Sequence, residues 1–225
     1  VASVLTLFVV ITLTFFLMNA IPGGTFNNER ATEKTMEAMN AKYGLDQPIP
    51  VQYVNYLKNL VKGDLGLSFK RQGFTVNEII AEKFPVSAKV GVVAIALAVG
   101  LGIPAGIVSA LKRNTIVDRV IMFITTLGIA MPSFIVATLL LYLFGVNLGW
   151  VKTVGIQGFS SYILPAFSLA FYPMSYISRL MRSSMLDALG QDYIRTARAK
   201  GMSQRVVLYK HALRNSIIPV ITYLG

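Results

Sequence analysis

Charged side chains are absent from this chain over stretches that have the length of a bilayer. Val1 to Met18 holds no Asp, Glu, Lys, Arg or His and is built largely from Val, Leu, Ile, Thr and Phe. At about 1.5 Å per helical residue, such a run is long enough to cross a hydrocarbon core of about 30 Å. A second apolar run, Val86 to Leu111, follows Pro85, is broken only by Lys89 near its edge, and is closed by Lys112 and Arg113. The third covers Val120 to Val146 after Asp118 and Arg119. The fourth covers Tyr162 to Ile177 and is carried to residue 182 by the flanking Arg179 and Arg182. A fifth starts at Ile217. The pattern therefore predicts an all-α integral membrane protein with spans at 1–18, 86–111, 120–146 and 162–182 and the start of another at 217. The first run lacks a basic leader and a small-residue cleavage site, so it reads as a trimmed span and not as a signal peptide. At least one more span is expected beyond Gly225.

The polar stretch 19–85 is expected to be a small folded insertion of helices. Glu29 to Tyr43 reads as a helix ended by Gly44. A second begins after Pro48 and Pro50 and places Val51, Val54, Leu57 and Val61 on one stripe before Gly63, a pattern that ordinarily means packing against a neighbour. A third starts at Thr75, with Glu78 at capping-box spacing.

Composition supports a lipid solvent: 54% of residues are hydrophobic and 14% charged, and the mean hydropathy is +0.61. A soluble surface would be short of polar groups. The formal net charge of +11 could suggest nucleic acid, but its placement argues for topology instead. Residues 19–85 hold eight Lys or Arg against seven Asp or Glu, leaving that loop free to be translocated. The turn after the second span has Lys112, Arg113 and Arg119 against Asp118. The region after the fourth has Arg179, Arg182, Arg195, Arg198, Lys200, Arg205, Lys210 and Arg214 against Asp187 and Asp192. By the positive-inside rule these two regions are cytoplasmic, and 19–85 and the turn around Trp150 face outward. Nucleic-acid binding is not expected.

Candidate chemistry is sparse. The chain has no cysteine, hence no disulfide framework and no thiol nucleophile. No phosphate-cradling G-x-x-x-x-G-K-[ST] occurs. The single histidine, His211, has no companion for a metal site or a nucleophilic triad and reads as a surface or headgroup residue. The span interiors carry no Asp, Glu or His of the kind a proton-coupled carrier needs. That weakens, without excluding, an ion-coupled secondary transporter. A membrane enzyme would need a catalytic cluster that these residues do not supply. What stands out instead is Gly102 and Gly106 around Pro104, Pro132 in the third span and Pro173 in the fourth. These suit close helix packing and bending, whether for a gated pathway or for any bundle.

The cytoplasmic segment 183–216 is the most informative. Asp192 is placed to cap a short helix from Tyr193 to Lys200, Gly201 to end it with a left-handed residue, and Ser203 to cap a second helix to Asn215. The low bulk of Ala197 and Ala199 would suit docking into a groove on a partner; Arg195, Arg198 and Lys200 would equally suit an anionic lipid surface. Periodicity leaves the two readings level.

The stretch Tyr193-Ile194-Arg195-Thr196-Ala197-Arg198-Ala199-Lys200-Gly201, with Lys210-His211-Ala212-Leu213-Arg214-Asn215 and Pro219, resembles the cytoplasmic loop of permease subunits of bacterial ABC importers in the oligopeptide, dipeptide and nickel family. Tyr43-Gly44-Leu45-Asp46-Gln47-Pro48, Val51-Gln52-Tyr53, Gly63-Asp64-Leu65-Gly66 with Ser68-Phe69, and Pro85 leading into Gly102-Ile103-Pro104-Ala105-Gly106 look like the first of the two permeases in such systems. Against the general importer loop, Glu-Ala-Ala, three residues, Gly, nine residues, Ile, one residue, Leu-Pro, the matches are Ala197, Gly201 and Leu213. Arg195, Thr196, His211 and Arg214 depart from it in the way the peptide branch does.

The resemblance implies a type I ABC-importer transmembrane domain, here a fragment lacking its C-terminal span or spans, with core 86–225 and coupling region 183–216, in a bacterial inner membrane. It implies no catalysis and no cofactor on this chain, with ATP and magnesium on two partner ATPases. It further implies a second homologous permease, an extracytoplasmic peptide-binding protein, and cargo that is a peptide or a nickel or metal chelate. The ATPase-docking residues would be Asp187, Ala188, Leu189, Tyr193, Arg195, Ala197, Ala199, Lys200 and Gly201.

Overall fold

The computed structural model describes residues 2–20, 44, 46–66, 68, 71, 74–151, 155, 158 and 160–225. The helix expected over 29–43 lies outside them. The chain divides into two compact units, Val1–Pro85 and Val86–Gly225.

In the first unit, α1 (Ala2–Ala20) has no buried residue, and only Ile11, Thr12, Phe15, Met18 and Asn19 are partly covered. Its hydroxyls turn onto its own backbone, Thr6 Oγ1 donating to Ala2 O at 3.0 Å and Thr12 Oγ1 to Phe8 O at 2.8 Å. A helix in lipid has no water to satisfy such groups, so the internal bond removes the cost. The next helix, α2 (Ile49–Val61), starts at Pro48 with Pro50 in its first turn, where the missing proline N–H costs nothing. Its expected packing stripe is wrong. Val51 and Val54 are exposed and Val61 is 89% exposed. Tyr53 and Tyr56 make the contacts instead: Phe15 of α1 stacks on Tyr56 at 5.4 Å between centroids, Phe16 lies 5.3 Å from Tyr53, and the Tyr53 and Thr12 hydroxyls are 2.7 Å apart. Aromatic rings with a polar tip outcompete valines for this role because they bring both area and a hydrogen bond.

The helix α3 (Val76–Leu111) runs unbroken through Pro85, so the polar third helix and the second apolar run are one element. Its start is a closed capping box: the Glu78 N–H donates to Thr75 Oγ1 at 3.2 Å, and the Thr75 N–H donates to Glu78 Oε2 at 2.8 Å.

In the second unit, α4 (Ile116–Ala130) and α5 (Ser133–Leu140), the latter continuing in wider π-helical winding through Leu141–Asn147, meet at a 109° bend. The continuous third span expected from the apolar pattern is therefore broken. Met131, before Pro132, is extended (φ −87°, ψ 125°), the conformation proline imposes on its predecessor, and Pro132 starts the new helix. Then come α6 (Ser160–Leu189) and α7 (Asp192–Ala199). The short α8 (Gln204–Val206) opens into π winding over Val207–Leu213 before α9 (Arg214–Ser216) and α10 (Ile218–Leu224).

Among the described residues, α1 and α3 are each long and apolar enough to cross a membrane, and the α4–α5 pair adds a third crossing if taken as one. α6, which contains the expected fourth span, falls short of that apolarity, since Ser, Tyr, Pro165 and Pro173 dilute its Leu, Ile and Phe. It is nevertheless the centre of its unit, burying Ala166, Ser168, Ala170, Ser175, Ile177, Ser178, Met181, Met185 and Ala188. Opposite it α3 presents a ridge of small residues four apart, Ala94, Ala98, Gly102, Gly106 and Ala110, all buried. Ridges of this spacing let two backbones approach closely. A Cβ on Gly102 would stand 2.8 Å from Met174 O, and one on Gly106 would stand 2.7 Å from Met181 Cβ. On another side, a Cβ on Gly128 of α4 would overlap the Ser175 hydroxyl.

Candidate functional site

The segment that carries the strongest sequence signal folds as a short amphipathic helix with a defined stop. Gln191 occupies the N-cap of α7 (φ −75°, ψ 152°) and Asp192 is the first residue inside, so the cap expected of Asp192 is corrected. Asp192 instead accepts from Arg195 Nη1 at 3.3 Å and sits favourably at the positive end of the helix dipole. At the other end Gly201 is left-handed (φ 76°). Its N–H donates to Arg198 O at 3.0 Å and that of Met202 to Ala197 O at 3.3 Å. This pair of bonds is a Schellman stop, which requires a residue that accepts positive φ at little cost.

One face of α7 is spent on the bundle. Ile194 and Ala197 are buried, in one cluster with Met185, Ala188, Val207 and Ala212. Ala197 and Ala188 therefore cannot contribute to a docking surface, which corrects the expectation for both. Their small size serves close packing against the chain's own core. The outward face consists of Tyr193, Arg195, Thr196, Arg198, Ala199 and Lys200, followed by Gly201. Asp187, Ala188 and Leu189 belong to α6, before the break at Gly190 and Gln191, so 187–201 is two helical pieces and not one. Pro104 lies within α3 and Pro173 within α6, while Pro132 marks the α4–α5 bend.

Beneath this surface the helix expected from Ser203 to Asn215 differs from its forecast. Ser203 stands at the N-cap position but its side chain makes no capping bond, and the backbone widens over Val207–Leu213. His211 lies in that widened stretch and is half-buried, with its Nε2 turned inward and without a hydrogen-bond partner, so it is less exposed than the surface reading expected.

Two charges that sequence reasoning took for flanking residues are joined. α4 begins at Ile116, so Asp118 is inside its first turn and only 3% exposed. Arg182 of α6 grips it with both edges of its guanidinium, Nε to Oδ1 and Nη2 to Oδ2, each 2.8 Å. Ser109, fully buried near the end of α3, also donates to Oδ1, and the Asn114 N–H donates to Oδ2 at 2.9 Å. Asn114 is left-handed (φ 63°) and Thr115, at the N-cap, makes no side-chain cap, so the Asp118 carboxylate closes this helix start. Arg182 and Asp118 are 64 positions apart, and no periodicity links them. The legible signal was only that an acid and a base each stood at the edge of an apolar run. Among the described residues no group of three His, Cys, Asp or Glu is placed to hold a metal.

Residues 102–225 match the family described as binding-protein-dependent transport system inner membrane component, and residues 1–91 match the N-terminal region of membrane components of such systems. The chain is 47% identical over 223 residues to the oligopeptide transport system permease protein OppB of Haemophilus influenzae. It is 44% identical over 223 residues to OppB of Salmonella typhimurium, and 45% identical over 225 residues to the dipeptide transport system permease protein DppB of Bacillus subtilis. These alignments cover 98%, 98% and 100% of this chain and 73% of each relative.

Proposed function

The chain belongs to the family of binding-protein-dependent transport system inner membrane components, and from that premise we propose that the outward face of α7 is where an ATPase subunit grips it. As a family member it is a permease subunit of an ABC importer, a membrane-spanning transport component that works with a partner permease, ATPases and a binding protein. The finer reading is ours. Tyr193, Arg195, Ala199, Lys200 and Gly201 seat in a groove of one of two cytoplasmic ATPases, while a second homologous permease supplies the other half of the pathway. ATP and magnesium belong to the ATPases, and this chain carries no cofactor and no catalytic group. The 19–85 segment meets the binding protein on the outer side. The cargo is a peptide, the class named for the oligopeptide and dipeptide relatives. An ion-coupled carrier has no observation in its favour.

The observation that carries the docking reading is the division of α7 into a face locked into its own core by Ile194 and Ala197 and a free face ended by a Schellman stop. A helix so held is rigid enough to pass a push inward instead of swinging away. The test is Gly201→Asp in the assembled complex. Peptide uptake per ATP hydrolysed is expected to fall while the chain stays in the membrane. Uptake at the unaltered ratio overturns the docking assignment.

A further inference from the structure

The buried Asp118 carboxylate has a position that packing alone does not account for. It takes four hydrogen bonds from three elements at once: Ser109 of α3, the Asn114 amide of the α3–α4 turn, and both edges of Arg182 of α6. The other ion pairs seen among the described residues, Arg71–Glu82, Lys83–Glu82 and Arg195–Asp192, lie on exposed side chains. Arg182 stands seven residues before the end of α6, about 10 Å along the helix axis, and α6 leads through Gly190 and Gln191 straight into α7. Around the pair the α3–α6 contact is made by Gly106 and small or flexible side chains such as Ser178 and Met181. Apolar contact has no preferred direction, so this close approach by itself sets the register of the two helices less sharply than a directed bond does. A two-edged guanidinium–carboxylate bond fixes both distance and angle. Nor does stability require the charges, since well-packed apolar residues in place of a buried ion pair are often as stable or more so.

We propose that the Asp118–Arg182 pair is the joint through which movement of the α6–α7 elbow is passed to the α3–α4 hairpin, making both residues positioning residues for transport. This rests on the docking reading of α7. A push on α7 moves the end of α6, Arg182 carries Asp118 with it, and α4 turns as a lever whose far end is the Met131–Pro132 bend. Without the joint, the register of α6 on the glycine ridge of α3 is set less sharply and the hairpin stays behind.

The experiment uses the full complex of both permeases, ATPases and binding protein in liposomes, and reads peptide delivered per ATP hydrolysed alongside the amount of ATPase retained on purification. Asp118→Asn with Arg182→Gln removes both charges, so no orphan ion is left to disrupt folding. If the pair were only glue, this double variant would transport at the normal ratio. The proposal expects retained ATPase and a ratio lower by about tenfold, within the range over which residues along a coupling route act. Arg182→Lys, which keeps the charge but not the two-edged geometry, is expected to lower the ratio by a smaller factor. A normal ratio in either variant overturns the joint. Should the double variant fail to assemble, Arg182→Lys decides alone. Failure of the docking reading shows separately, as an unaltered ratio in Gly201→Asp with Asp118 and Arg182 intact.

Discussion

The contrast between α1 and α6 reverses what soluble proteins teach about hydrophobicity. α1 is apolar all round and none of its residues is buried, whereas α6 carries two prolines, serines and tyrosines and buries more residues than any other described helix. In water the apolar helix would be the core. In lipid, burying apolar surface between helices gains little, because acyl chains already solvate it. Association is instead driven by close packing of small residues and by polar bonds between helices. α1 is thus composed for its solvent, and α6 for its neighbours: glycine on α3, glycine on α4, and one ion pair.

The contrast can be broken most forcefully at the ion pair. Arg182→Ala leaves Asp118 charged and nearly enclosed, and removal of one partner of a buried pair costs about 3–5 kcal/mol. Denaturant titration of the purified chain in mixed micelles is expected to show a loss of that size. A loss no larger than that of an exposed ion pair would mean that water reaches Asp118. The next largest effect lies on the glycine ridge. Gly106→Leu would drive side-chain atoms into Ser178 O and Met181, and overpacking of this kind costs about 1–3 kcal/mol in the same titration. The smallest is on α1, where Leu13 is 56% exposed and Leu13→Val is expected to stay within about 0.5 kcal/mol. Were Leu13→Val to cost as much as Gly106→Leu, the view of α1 as a helix composed for lipid would fail.

The features that were legible in the sequence have local causes, although the side-chain caps expected of Asp192 and Ser203 did not form. Gly201 as a left-handed stop, Thr75 and Glu78 as a capping box, and Gly102 and Gly106 as points of close approach follow from single residues or short spacings. What it did not reveal depends on distant partners. The face of α2 that packs is chosen by Phe15 and Phe16, so the valine stripe was the wrong stripe. Whether Ala197 or Ala199 faces outward depends on Met185 and Val207, which no pattern within α7 announces. Pro132 announced a kink, but the 109° turn that follows and the widened windings over 141–147 and 207–213 are settled by packing. The Asp118–Arg182 pair spans 64 positions, and charge counting treated its members as unrelated.

The orientation of one short helix toward an ATPase is directly measurable, because residues 1–225 contain no cysteine. A single Ala199→Cys, made in the assembled complex and treated with a short bifunctional thiol reagent, is expected to crosslink to an ATPase subunit carrying a cysteine in its groove, while Ala197→Cys, buried in its own bundle, is expected not to. Crosslinking from Ala197 with none from Ala199, or labelling of Ala199→Cys by a membrane-impermeant thiol reagent applied from outside the cell, would contradict it.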